Sequence, residues 1–384
     1  KVNVIESTLF YESWLADQTD LQNRRLEVKH ARMASNPFAF LRGTFYRWLQ
    51  RWRKECGHLH NRHGDVLVAV GDLHIENFGI WRDCRNRLVW GINDFDEACQ
   101  VPFTLDLVRL ATSAILAAEA VEIEVPRDQV CHLLLAGYQD GLEAAGAPIL
   151  LDAGDRGELL AFVSCVTELP SIYWAEKFND DDNPEISSKE LPRGLEDAFR
   201  PAFPRGSTPV YRRQRKPAGL GSLGRRRYMA ALKRGENDYI AREAKALVPS
   251  ALSWLEMRPA AISLAGTLLQ RIVRSPDPCL QVHDRWLVRQ AAPQAITIEL
   301  PASKEVSRLA FAPALLSAMG FETVNAHLGS RSPGELQTAM DGLRRELGDD
   351  WLVTAAAKME KATRKDHQAW LKYWKRYSQK SGGR

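Results

Sequence analysis

The sequence predicts a mixed α+β protein of two lobes, a helical one first and a smaller β-rich one second. Three observations predict it. The chain has 384 residues, more than one small core accommodates. Apolar positions recur at helical spacing through residues 1–60 and again from Ala310 onward. Strand-like runs cluster in between, first at 65–98 and then at 227–293. The expected division is 1–200, 201–300 and 301–384, with the last part returning to the first.

Taken in order, "ARMASNPFAFLRGTFYRWLQRW" breaks at Asn36-Pro37 and resumes with an apolar face through Phe40, Leu41, Phe45, Trp48 and Leu49. Arg42 and Gly43 interrupt that face. "DVLVAVGD" and "RLVWGINDFDEA" are short apolar strands that end in acids. "TLDLVRLATSAILAAEA" is a helix, and 127–147 and 155–178 continue as helices. "NDDDNPEISSKELPRG" (179–194) is acidic, holds two prolines and reads as a loop. "RYMAALKRG" and "YIAREAKALVP" read as two strands joined at 235–238, and "RWLVRQAAP" as another. The C-terminal stretch is a basic helix.

Composition narrows the function. Apolar residues make up 45% and charged residues 26%, ordinary for a globular protein. A net charge of +4 is too weak to imply nucleic acid or membrane. From Phe199 to Gly235 there are eleven bases and no acid, which fits a solvated face as well as an anion-facing one. A nucleic-acid partner is the weaker reading of that run. No apolar run reaches transmembrane length. Six cysteines without a C-x-x-C pair fit reduced thiols in the cytoplasm.

"GDLHIENFGIW" crowds polar residues where a strand ends. Asp72 and Asn77 stand as D-x-x-x-x-N, the spacing kinase catalytic loops use for a base and a magnesium ligand. The next apolar run ends in Asp94 and Asp96, close enough in sequence for a hairpin to bring a carboxylate to the same metal. Magnesium takes oxygen ligands, commonly one or two carboxylates plus phosphates. Asp, Asn and Gly also populate ordinary turns, but two such strand ends in succession, followed by Asp106 opening a helix, favour chemistry.

This constellation resembles aminoglycoside-phosphotransferase-like kinases, with "GDLHIEN", "INDFDEA" and "TLDL" as the matching pieces. The resemblance implies Asp72 as catalytic base, Asn77 and Asp94 as metal ligands with Asp96 a further candidate, His74 as a loop-shaping residue and Asp106 as a brace for the loop. Val70 stands where those kinases carry a histidine. More closely, "NPFAFLRGT", "GDLHIENFG", "NDFDEA", "GSLGRRRY", "REAKALVPSA" and "VRQ" resemble a bacterial family catalogued as a domain of unknown function, over residues 36–290.

A kinase needs a nucleotide lobe. Here the candidate lies downstream of the catalytic loop. Gly219, Gly221 and Gly224, with Ser222 among them, form G-x-G-x-x-G, where backbone N–H groups can approach phosphates. A dinucleotide site needs a helix directly afterwards, and a strand pattern follows instead. Lys245 of "REAK" is the preferred phosphate cation. Arg242 is the alternative on the opposite strand face. Arg42 is expected to reach the phosphates or to brace the Asp72 loop. Motif order thus implies a circularly permuted, protein-kinase-like fold using ATP and Mg2+ on an unidentified acceptor hydroxyl. AMP transfer on the same scaffold and a non-catalytic nucleotide sensor are the alternatives.

Overall fold

The computed structural model describes residues 2–153, 157–179, 181–214, 220–222, 224–236, 238–257, 263–295, 297, 299–301 and 303–381. Its strands are β1 (Val66–Ala69), β2 (Phe78–Arg82), β3 (Leu88–Ile92), β4 (Cys99–Pro102), β5 (Ile149–Leu150), β6 (Glu185–Ile186), β7 (Val210–Gln214), β8 (Arg227–Gly235), β9 (Asp238–Ala246), β10 (Gln281–His283) and β11 (Trp286–Gln290). The architecture is mixed α+β with three sheets. Among the described residues no helix is long and apolar enough to cross a membrane, and all six cysteines are free thiols.

The largest sheet is antiparallel and runs β10-β11-β9-β8-β7-β6. The sequence-derived strands at 227–246 and 286–290 are its centre. Alternation gives it two faces. Tyr228, Ala230, Ala244, Ala246, Trp286 and Val288 bury one face under the helix Leu195–Phe199. Met229, Ala231 and Ala241 pack on the other against Tyr173 and Trp174 of the helix Pro170–Lys177. The acidic segment expected as a loop is partly ordered by this sheet. Its residues Glu185 and Ile186 pair with Arg212 and Tyr211 as the edge strand.

The helical body holds the main core. At its centre the helix Thr104–Ala120 buries 14 of its residues, so it is covered all round rather than along one stripe. The helices Arg127–Glu143 and Pro313–His327 lie against each other with almost no space between backbones. A Cβ on Gly137 would meet Ser317 O at 1.8 Å, and one on Gly320 would meet Leu134 O at 2.0 Å. The final helix, Trp351–Ser381, returns to the N-terminal helices. Its buried Asp366 accepts from Arg47 Nε at 2.8 Å and Arg51 Nε at 2.7 Å.

The C-terminal helices also reach the small strands. Glu322 accepts from Ile92 N at 3.3 Å, and Arg331 donates to Val66 O at 3.0 Å. The C-terminal part of the chain thus touches both β1 and β3.

Candidate functional site

Two local structures build the site. The first is the turn after β1. Gly71 sits at φ +84°, where a Cβ would lie 2.3 Å from Glu97 O, so only glycine fits. The N–H groups of Val70 and Gly71 donate to the two oxygens of Asp106, each at 2.8 Å. Asp106 is fully buried and also meets His327 Nε2 at 3.1 Å, while Tyr138 closes on His327 Nδ1 at 2.9 Å. The expected brace is thus real, and it is tied to a helix more than two hundred residues downstream.

The turn continues through Ile75–Asn77. His74 Nδ1 accepts from Glu76 N at 3.2 Å, which requires a neutral imidazole at that nitrogen. Burial, with the nearby Arg42 and Arg109 charges, pushes the His74 pKa well down, in agreement. Arg42 forms an ion pair with Glu76, whose other oxygen accepts from Leu300 N at 2.8 Å. Of the two expectations for Arg42, the geometry shows the bracing contact.

The second structure is the β2–β3 hairpin. The register pairs Phe78 with Ile92, so Asn77 and Asn93 fall side by side, and Asn93 N donates to Asn77 O at 2.9 Å. This brings Asp94 beside the Asp72 turn. Asn77 Nδ2 donates to Asp72 O at 3.0 Å, which leaves its carbonyl oxygen as the group free to take a cation.

The sheet supplies the remaining charge. Lys245 Nζ lies 3.0 Å from Asp94 Oδ1 and 2.9 Å from Asp96 Oδ1. Lys245 is buried, whereas the Asp94 side chain is 37% exposed and so faces the cleft. Burial works against ionised Asp94, but the Lys245 charge and hydrogen bond outweigh it and hold the carboxyl well below its ordinary range. Asp96 Oδ1 is buried and makes no directed hydrogen bond. Arg225 Nη1 stands 3.5 Å from Asp96 Oδ2.

Other candidates separate. Gly221 adjoins Asp72, since a Cβ there would lie 3.5 Å from Asp72 Oδ2. Ser222 ends the short turn Leu220–Ser222 beside it. Gly224 adopts φ +110° and packs against Leu26. Gly219 lies outside the described residues. Arg242 is not in the cleft. Strand alternation turns it to the other face, where its guanidinium lies 5.7 Å from the Phe203 ring centre. The basic run divides in the same way: Arg225 and Arg227 are buried on the cleft side, while Arg200, Arg205 and Arg234 are exposed.

Three site residues escaped the sequence reading. Arg109 is fully buried and donates from Nε to Asp72 Oδ1 at 2.7 Å and from Nη2 to Leu41 O at 3.0 Å. Its guanidinium lies 4.9 Å from the Phe45 ring centre and 5.0 Å from that of Trp48. Glu97 accepts from Ala251 N at 2.6 Å, and burial raises its pKa to about 7. Lys29 lines the same cleft from an N-terminal helix. An Arg inside an otherwise apolar helix was the one available signal, for Arg109. Nothing in the local sequence marks Glu97 or Lys29.

Asp72, Asn77, Asp94, Asp96, Glu97 and Lys29 line one cleft of about 630 Å³, which extends past Glu243, Arg289 and Gln290 of the large sheet, with Arg109 and Lys245 buried behind its carboxylates. Glu243 Oε2 accepts from Arg289 Nε at 2.8 Å. Despite burial, the Arg289 charge holds Glu243 well below its ordinary pKa. Among the described residues no three His, Cys, Asp or Glu side chains gather as a metal centre. The donor set is two carboxylates and one amide oxygen, all hard oxygen donors, which suits magnesium completed by phosphates.

Residues 21–158 match the model of a family described as uncharacterized protein conserved in bacteria (DUF2252). The matched stretch carries Lys29, Asp72, Asn77, Asp94, Asp106 and Arg109 and ends before the glycine segment and Lys245. Neither the curated proteins nor the solved structures hold a significant match.

Proposed function

We propose that the protein is an ATP- and magnesium-dependent phosphotransferase of protein-kinase-like, circularly permuted organisation. The observation that carries this reading is the placement of buried Lys245 against Asp94 and Asp96, two carboxylates that line one cleft together with Asp72 and Asn77. Five residues from two distant parts of the chain meet there. Motif order supports the permutation: the catalytic turn comes first, the glycine segment between β7 and β8 second, and the helix Pro313–His327 returns to β1 and β3 last.

Magnesium would be held by Asp94 and Asn77, with Asp96 beside them, and would offset phosphate charge. Asp72 accepts the proton of the acceptor hydroxyl. Burial raises its pKa and makes it a better base, and Arg109 limits that rise while fixing the carboxylate's direction. Arg109 is a positioning residue. Lys245 steadies the phosphates, and Arg42, through Glu76, keeps the turn in shape.

The test is calorimetric titration of Mg·ATP into the wild type and Asp94→Asn. Magnesium-dependent binding that weakens about ten-fold or more in the variant supports the reading. Equal binding in both removes the metal assignment. The product's mass then distinguishes phosphoryl from AMP transfer.

A further inference from the structure

The cleft's deep cations are nearly all matched. Arg42 faces Glu76, Arg109 faces Asp72, Lys245 faces Asp94 and Asp96, and Arg289 faces Glu243. Lys29 is different. It is 2% exposed and lines the cleft, yet among the described residues it has no ion pair and no hydrogen bond. Its ammonium lies 5.9 Å from the Tyr46 ring centre. In electrostatic range of it are Glu12, Arg225, Glu97 and Asp72, and the Glu12 carboxylate is already engaged by His30 Nε2 at 2.9 Å. Arg225 is 4% exposed, and its Nε and Nη1 make no hydrogen bond. Its carboxylate neighbours stand at 3.5 and 3.8 Å, loose for buried pairs.

A buried ammonium without a directly bonded partner is unfavourable, and burial depresses the Lys29 pKa although Glu12, Glu97 and Asp72 act against it at longer range. Among the described residues no carboxylate lies within ion-pair distance of its ammonium, although the other cleft carboxylates Asp72, Glu76, Asp94, Asp96 and Glu243 each have a direct cation. Two under-satisfied cations on the wall nearest Asp72 form a subsite for an anion brought from outside. Tyr11, stacked on Tyr46 with ring centres 4.2 Å apart, closes that wall. Tyr11 and Lys29 come to this wall from the helices Val4–Gln18 and Asn23–Met33, and Arg225 from the segment that leads into β8.

We propose that Lys29 and Arg225 bind an anionic carboxylate or phosphate group of the acceptor, so that the acceptor is a small molecule carrying both that group and the hydroxyl presented to Asp72. The acceptor assignment rests on the phosphotransferase reading; the anion subsite rests on Lys29 and Arg225 alone.

The probe is inorganic phosphate, titrated calorimetrically into the full chain with and without saturating magnesium and a non-hydrolysable ATP analogue. The wild type binds phosphate in both conditions. Lys29→Met binds it about ten-fold or more weakly. Thermal melting without phosphate shows that Lys29→Met is folded and no less stable, because an unpaired buried charge has been removed. Added phosphate raises the wild-type melting temperature and leaves the variant's unchanged.

Equal phosphate binding by the folded variant overturns the subsite. Loss of phosphate binding when the analogue is present assigns Lys29 to the nucleotide's phosphates and overturns the acceptor assignment. If the analogue does not bind but phosphate still binds in a Lys29-dependent way, the phosphotransferase reading fails and the anion subsite stands.

Discussion

Lys245 and Asp94 are 151 residues apart in the chain, and their ammonium and carboxylate meet at 3.0 Å. The contact joins β9 of the large sheet to the segment after β3. Removing the cation in Lys245→Met leaves Asp94 and Asp96 facing each other without their counter-charge. Phosphotransfer is expected to fall about a hundred-fold or more. The melting temperature is expected to fall as well and to recover on adding Mg2+, a dependence the wild type shows more weakly. Differential scanning fluorimetry across a magnesium series measures it.

The Asp72–Arg109 pair gives a second prediction. Arg109 is wholly enclosed, so Arg109→Met strands Asp72 in a low-dielectric pocket. The cost is about 3–5 kcal/mol of stability. Asp72→Asn combined with Arg109→Met recovers a large part of it, because the uncompensated charge is gone. Urea denaturation of the two single variants and the double variant closes the cycle. A double variant as unstable as Arg109→Met alone contradicts the pairing.

The turn itself gives a third. Gly71→Ala places a methyl against Glu97 O at a positive φ, and no flexible side chain is available to yield. At least about 2 kcal/mol of destabilisation is expected. Asp106→Ala leaves two buried N–H donors unsatisfied and costs about 2 kcal/mol or more. Gly64→Ala has open space around it and serves as the neutral comparison in the same denaturation series.

What the sequence disclosed follows from where each signal resides. Strand alternation and helical period depend on neighbours in the chain, so β8, β9, β11 and the helix Thr104–Ala120 were legible. That Asp72, Asn77 and Asp94 converge on one cleft was legible because two short strands, each followed by polar residues, stand a hairpin's length apart. Arg109 stands in "TLDLVRLA", where the sequence gives it no role, since a lone arginine on a helix ordinarily faces solvent. Only the enclosure of that helix on every side makes it a partner for Asp72. Lys29 and Glu97 depend on contacts between the N-terminal helices and the segment at Arg225, a relation no local pattern encodes. The edge strand at 185–186 was hidden because its pairing partner supplies the order its own acidic, proline-containing sequence lacks.

A fourth prediction concerns pH. Glu322 is buried against Gly91 and Ile92, and burial raises its pKa from 4.5 to about 7 despite Arg274 and its hydrogen bonds with Asn325 and Ile92. The native state therefore keeps the proton up to about pH 7, whereas the unfolded chain releases it near 4.5. Between those values the native state binds more protons, so this group's contribution to stability is full at low pH and is lost as pH rises. Above about pH 7 its contribution is level. Glu322→Gln is expected to flatten that part of the profile and to gain stability relative to the wild type at pH 8. Melting temperatures of both proteins from pH 5 to 8 test this, and parallel curves would contradict it.

Gln22 N donates to Gly224 O at 3.1 Å, and Arg25 Nη1 donates to Arg225 O at 2.9 Å. Leu220, at the other end of the segment, is buried with Met33, Phe40 and Trp370. Leu220 and Gly224, held in this way, have given up their conformational freedom when the chain folds. A ligand that enters the cleft beside Gly221 incurs little further ordering cost at these two residues. The entropy of those residues is thereby charged to folding, and the N-terminal helices become part of the affinity of a cleft they only border.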